Sequence, residues 1–229
     1  MGIRLPQPKI TCSFGRVTRK RTVLLLFSVL LVARGACGQS TIEIQGGINI
    51  ANFSDPGNLI TGAAWKTHFG FLGSVSTEFP VSENLIINPG LRFVQKGTKS
   101  QWWSVWTGNV AATITNNYLE VPVYLRYRLI GITPELSLFG GPSVGYLVSS
   151  HTEGTMQLFG PVSSNTRADY KKIDLSFDIG FSAQNPVNEH LAIVAAASYS
   201  LGLIRISQLG SNERTRDLRV TVGTIFNIE

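Results

Sequence analysis

Eight stretches of this chain place apolar residues at every second position, and none carries an apolar stripe at helical spacing. In YLEVPVYLRYRLI, residues 118 to 130, Leu119, Val121, Val123, Leu125, Tyr127 and Leu129 alternate with Glu120, Pro122, Tyr124, Arg126 and Arg128. A period of two is the signature of a strand with two unlike faces. The other seven stretches begin near residues 41, 69, 85, 135, 172, 190 and 217 and repeat the pattern, as in Ile173, Leu175, Phe177, Ile179 and Phe181. The chain is therefore expected to be all-β. Alternation alone does not say whether the apolar face fills a core or meets lipid.

The links between these stretches supply a direction. After the second, fourth and sixth they are short, near residues 80 to 84, 131 to 134 and 185 to 189. After the first, third, fifth and seventh they are longer, near residues 54 to 67, 97 to 116, 150 to 169 and 206 to 213. Strict alternation of short and long puts every long link at one end. That asymmetry belongs to outer-membrane barrels, with tight periplasmic turns and longer external loops.

The first 38 residues point to the same compartment. Arg16, Arg19, Lys20 and Arg21 precede TVLLLFSVLLVA, residues 22 to 33, and then RGACGQ. This is the charged, apolar and small-residue order of a secretory signal peptide. The apolar run is shorter than the roughly 20 residues a spanning helix needs. Cleavage is expected after Gly38, leaving residues 39–229 as one domain. All seven charged residues before Gln39 are basic, so the 20 basic and 14 acidic residues of the whole chain become 13 and 14, a net charge of −1. The basic balance thus belongs to the export segment, and a nucleic-acid partner has no support. Cys12 and Cys37, the only cysteines, fall in that segment too, which leaves no cysteine metal site or disulfide beyond it.

Between the apolar positions stand polar or small residues, among them Glu43, Glu78, Arg92, Glu120, Arg126, Arg128, Asp174, Asp178 and Arg219. The exterior of a soluble barrel would be rich in Lys and Glu. Sparse Arg, Asp and Glu suit a closed interior in which charges pair with one another. The fold expected is an eight-stranded, antiparallel, up-and-down transmembrane β-barrel following a cleaved signal peptide. Eight strands leave room inside for side chains only, so these charges should form a packed polar plug, with Glu43, Glu78, Arg126 and Arg128 in the periplasmic half and Arg92 and Asp178 nearer the middle.

IQGGINIANFS, INPGLRFVQKG, YLEVPVYLRYRL, SLFGGPSVGYLVS, DIGFSAQ and YSLGLIRI span nearly the whole of residues 39–229. In these motifs and their order the chain resembles the PorT-like family of small bacterial outer-membrane barrels, often called porin-family proteins. The resemblance implies the fold and an outer-membrane location, without fixing an activity.

Two further clusters are candidate sites. Trp102, Trp103 and Trp106, three of the four tryptophans, lie in SQWWSVWTGN; they suit either an interaction loop or the aromatic girdle at the lipid surface. SSHTEG brings Ser149, Ser150, His151 and Glu153 together, which would serve a lipid hydrolase only if the geometry met the demands of a catalytic triad. His68 and His190 show no ligand spacing, and neither a metal nor another cofactor is expected. The expected function is a non-enzymatic outer-membrane protein, structural or accessory to transport or secretion, with outer-membrane lipids and envelope or secretion-machine proteins as its partners and a monomeric barrel as its form. A narrow solute channel and a lipid hydrolase are the alternatives.

Overall fold

The computed structural model describes residues 40–54, 64–129, 134–208 and 213–228. The expected signal peptide, residues 1–38, lies outside the described residues. The strands are β1 (Ser40–Ser54), β2 (Ala64–Pro80), β3 (Leu85–Ser104), β4 (Gly108–Leu129), β5 (Glu135–Met156), β6 (Gly160–Asn165), β7 (Ile173–Pro186), β8 (Leu191–Gly202) and β9 (Arg214–Ile228).

Each strand pairs antiparallel with its neighbours, and the ring closes where β1 meets β9, from Ser40 opposite Ile228 to Ser54 opposite Arg214. Eight strands make the ring; β6 pairs only with the far part of β5, whose near part pairs with β7. At the closing seam, a Cβ on Gly47 would run into the backbone of Val220, and one on Gly223 into that of Ile44. Glycine lets the two strands approach closely where the sheet must curl shut.

The alternation becomes two surfaces. Leu119, Val121, Val123, Leu125 and Tyr127 are exposed on the outside of β4, while Tyr118, Glu120, Tyr124 and Arg126 are buried inside. The same division holds on β7, where Phe177, Ile179 and Phe181 are exposed and Asp174, Ser176, Asp178 and Ser182 are buried. A continuous belt of exposed Phe, Leu, Ile and Val is untenable in water and is the surface a bilayer requires.

Two of the long links differ from expectation. Residues 97–116 and 150–169 are mostly strand: β3 and β4 continue past the belt to a turn at residues 105–107, and β5 doubles back into β6 after residues 157–159. Past Phe93 the outward positions are Gln95, Lys99 and Gln101, and the inward ones Lys96, Thr98 and Ser100. With polar residues on both faces, no apolar phase remains to mark the strand. The backbone register nevertheless continues, from Lys96 opposite Asn116 to Ser104 opposite Gly108.

A charge placed on the belt tests its orientation. Val144→Arg, midway along the apolar stretch of β5, is expected to cost roughly 2–4 kcal/mol. Thr155→Arg, on the same strand beyond the belt, should stay within about 0.5 kcal/mol. Urea titration of barrels refolded in phospholipid vesicles measures both, and equal costs would mean that the belt does not face lipid.

Candidate functional site

Inside the ring the polar phase condenses into two charge clusters. Near the short-turn end, the guanidinium of Arg126 binds Glu43 at 3.0 Å and also pairs with Glu78. Arg128 reaches Glu78 at 3.0 Å and Glu135 at 2.9 Å, and is the most exposed of these basic groups. Gln45 donates to Glu43, and Asn88 reaches the same carboxylate at 3.4 Å. Five strands, β1 to β5, are tied together here by side chains alone.

The second cluster is larger and more fully enclosed. Arg92 donates from Nε to Glu120 Oε2 at 2.9 Å, from Nη1 to the Tyr124 hydroxyl at 2.6 Å and from Nη2 to Asp178 at 2.8 Å. Arg219 also binds Asp178 at 2.8 Å, and reaches Asp217 at 3.1 Å. Lys96 Nζ lies 2.8 Å from both Glu120 and Asp174 and 5.2 Å from the centre of the Tyr118 ring. Thr215 adds a donor to Asp174 at 3.1 Å. Planar, bidentate geometry between Arg and carboxylate lets three cations and four carboxylates pair away from bulk water, with Asp174 Oδ1, Asp217 Oδ1 and Arg219 Nε left without a hydrogen-bond partner.

Sequence reasoning missed Lys96 and Asp217. Lys96 sits at the last position before the polar half of β3, where the alternation fades; Asp217 precedes the first clear apolar residue of β9. Each shares the phase of a nearby charge, Lys96 with Arg92 four residues before it and Asp217 with Arg219 two residues after it. Extending the period by two steps from Arg92 and by one from Arg219 would have found them.

The lumen is filled above and below these charges. Toward the long-hairpin end, Phe53, Leu72, Val94, Tyr118 and Leu147 pack with Tyr170 and Ile206, which come in from links outside the ring strands. Burial, and then the nearby Glu213 and Asp169, raise the Tyr170 phenol above its ordinary value, so it remains a neutral ring against Phe53. Toward the short-turn end, Ala192, Val194 and Ile225 form a second apolar layer. Between the two charge clusters lies a cavity of about 40 Å³ lined by Glu43, Arg92, Tyr124, Arg126 and Arg219. That is room for a few waters at most.

The tryptophans stand elsewhere. Trp102 and Trp103 are on β3 and Trp106 is in the turn after it, nine or more residues beyond Phe93. The Ser and His residues do not converge as a triad. Ser149 accepts from Asn117 on the outside, and Ser150 is buried against Thr166. His151 Nε2 instead meets Ser163 at 2.8 Å, with Glu153 at 3.7 Å from the same nitrogen. A triad needs the carboxylate on the opposite ring nitrogen.

The family model described as the outer membrane protein beta-barrel domain matches residues 33–208, well over half the chain. No curated protein sequence matches. Among solved structures, Neisserial surface protein A is 10% identical, covering 83% of this chain and 99% of its own with a TM-score of 0.48. OprG of Pseudomonas aeruginosa is 13% identical, covering 84% and 97%, also at 0.48. Ail of Yersinia pestis, in complex with a heparin analogue, is 15% identical, covering 82% and 99%, at 0.44.

Breaking the enclosed cluster should be far more costly than trimming its exposed edge. Glu120→Ala leaves Arg92 and Lys96 short of a partner and is expected to cost about 3–5 kcal/mol. Arg128→Ala should cost about 1 kcal/mol or less, because its head is partly solvated. The comparison is made by urea titration in the same vesicles.

Proposed function

We propose, for a chain that belongs to the outer membrane protein beta-barrel domain family and resides in the outer membrane, a non-enzymatic role in which the external hairpins are the working surface and the barrel is their anchor. The observation that carries this reading is the filled lumen. A route for solute would have to pass the ring of Arg92, Glu120, Asp178 and Arg219 and the apolar layer of Phe53, Tyr118, Leu147 and Tyr170, and both are buried and mutually packed. Among the described residues, the hairpins β3–β4 and β5–β6 are the strands that extend past the lipid-facing belt. Resemblance to the PorT-like barrels suggests envelope or secretion-machine proteins as one partner class, and monomeric barrels as the form in which the hairpins are presented.

Planar-bilayer recording tests the anchor reading. The reconstituted protein is expected to give no steady conductance, whereas an Arg92→Ala, Glu120→Ala, Arg219→Ala triple variant that still folds should show brief openings. Steady openings of the unaltered protein would instead support a narrow channel.

A further inference from the structure

The hairpins β3–β4 and β5–β6 do not end separately. Val110 pairs with Met156, Gln157 N donates to Asn109 O at 3.0 Å, and Leu158 N donates to Thr107 O at 3.3 Å. The Gln157 side chain accepts from Asn109 N at 3.0 Å, and Phe159 N donates to Met156 O at 3.2 Å. Gly108 and Gly160, at φ of 70° and 83°, make the turns that permit this joining. The two tips are thus joined to each other by backbone and side-chain bonds, while β6 keeps one unpaired edge.

This body presents Trp106 at 81% exposure, Phe159 at 70%, Val105 at 69%, Leu158 at 66% and Trp103 at 64%. Those values match the most exposed residue of the lipid-facing belt, Phe69, at 65%. Residues 100–119 and 154–166 contain no Asp, Glu, Lys, Arg or His. The tip is as apolar as the membrane wall, yet it stands apart from it. Ten residues separate Trp103 from Phe93, about 33 Å of strand at ~3.3 Å per residue, or roughly 25 Å of height at a tilt near 40°.

We propose that the joined tips insert into the interfacial layer of a second, apposed lipid bilayer. This rests on the reading that the hairpins are the external working surface. Three features favour lipid over a protein partner. Trp102 and Trp103 project to opposite faces of the sheet, and the turns add Trp106, Leu158 and Phe159 at its end, so a flat partner on one face would leave the rest bare while a fluid medium covers all of them. The turns at the tip bond their own backbone donors, at Gln157, Leu158 and Phe159, which lowers the cost of entering a layer of low dielectric. Trp at the end of a neutral apolar element settles at headgroup depth, and lack of charge makes the binding independent of anionic lipid.

The test uses the folded barrel in nanodiscs, mixed with protein-free phosphatidylcholine vesicles and floated on a density gradient at low and high salt. The barrel is expected to float with the vesicles at both, with tryptophan emission shifted to the blue. Trp103→Ser, Trp106→Ser, Phe159→Ser together should lower the bound fraction by about 100-fold, as the lost apolar area implies. Trp106→Ser alone lies in a turn outside the strands, leaves the fold untouched and should lower binding about tenfold. No flotation of the unaltered barrel, equal flotation of the variants, or flotation confined to anionic vesicles and lost in high salt would each overturn the proposal, as would a protein ligand whose addition alone shifts the tryptophan emission. In intact cells Trp106→Cys should react with a membrane-impermeant maleimide. If it does not, the external-hairpin reading fails and this one with it; reaction without flotation overturns the lipid inference alone.

Discussion

The bilayer's refusal to hydrogen-bond the backbone is the constraint from which the rest of this structure follows. In hydrocarbon each N–H and C=O must find a partner within the protein, which leaves a sheet one course, to close on itself. The seam between β1 and β9 is where that closure is made, with fifteen consecutive residue pairs in register from Ser40 to Ser54. Gly47 and Gly223 stand on it because a side chain there would hold the strands apart. Closure brings both ends of the ring to the side of the short turns and sends the long hairpins to the other.

Closing eight strands also fixes what can be inside. The interior is only wide enough for side chains, and the inner phase of a strand whose outer phase is apolar is the place for the chain's polar residues. Charges enclosed in this way must pair or be prohibitively expensive. Arg92 therefore gathers Glu120, Tyr124 and Asp178, and Lys96 gathers Glu120 and Asp174, so that strands far apart in sequence are tied through the lumen. Asp178 accepts from Arg92, Arg219 and Tyr124, residues of β3, β9 and β4, which links β7 to three strands, none of them a neighbour except through others. The cluster crosses the barrel, whereas backbone ladders only go round it.

How much of this was legible in the sequence depended on whether a strand had unlike faces. Where one side meets lipid and the other the lumen, as from Leu119 to Leu129, the period of two is clear and the strand could be placed. Beyond the belt both faces of the sheet meet polar surroundings, so GTKSQ on β3 and TITNN on β4 carry no apolar phase, and the strands there read as loop. β6, with the sequence GPVSSN, was invisible for the same reason. The interior charges could be phased from their apolar neighbours, but their partnerships could not: the tilt of the strands decides that Arg92 meets Asp178 and that Lys96 meets Asp174, and tilt is a property of the closed ring. Lys96 and Asp217 fell at the margins where the phase signal gives out.

The same loss of signal hid the relation of the tryptophans to the membrane. Taken as members of a loop, Trp102, Trp103 and Trp106 could fold down onto the lipid surface and act as its girdle. Carried on a continuing strand they stand further out, because β3 holds register with β4 through Trp103 opposite Asn109, and each residue adds to the distance from Phe93. Toward the hairpin end of the belt, aromatic residues stand on the strands themselves, at Phe69, Phe71, Phe93 and Tyr146. In the proposed reading the tip has no anchoring duty toward its own bilayer. Leu158 and Phe159, contributed by a hairpin whose strand the sequence did not reveal, complete an apolar surface that solubility alone would disfavour. A charge-free tip whose turns bond each other, held that far from its own membrane, has what the proposed contact with a second apolar phase would use.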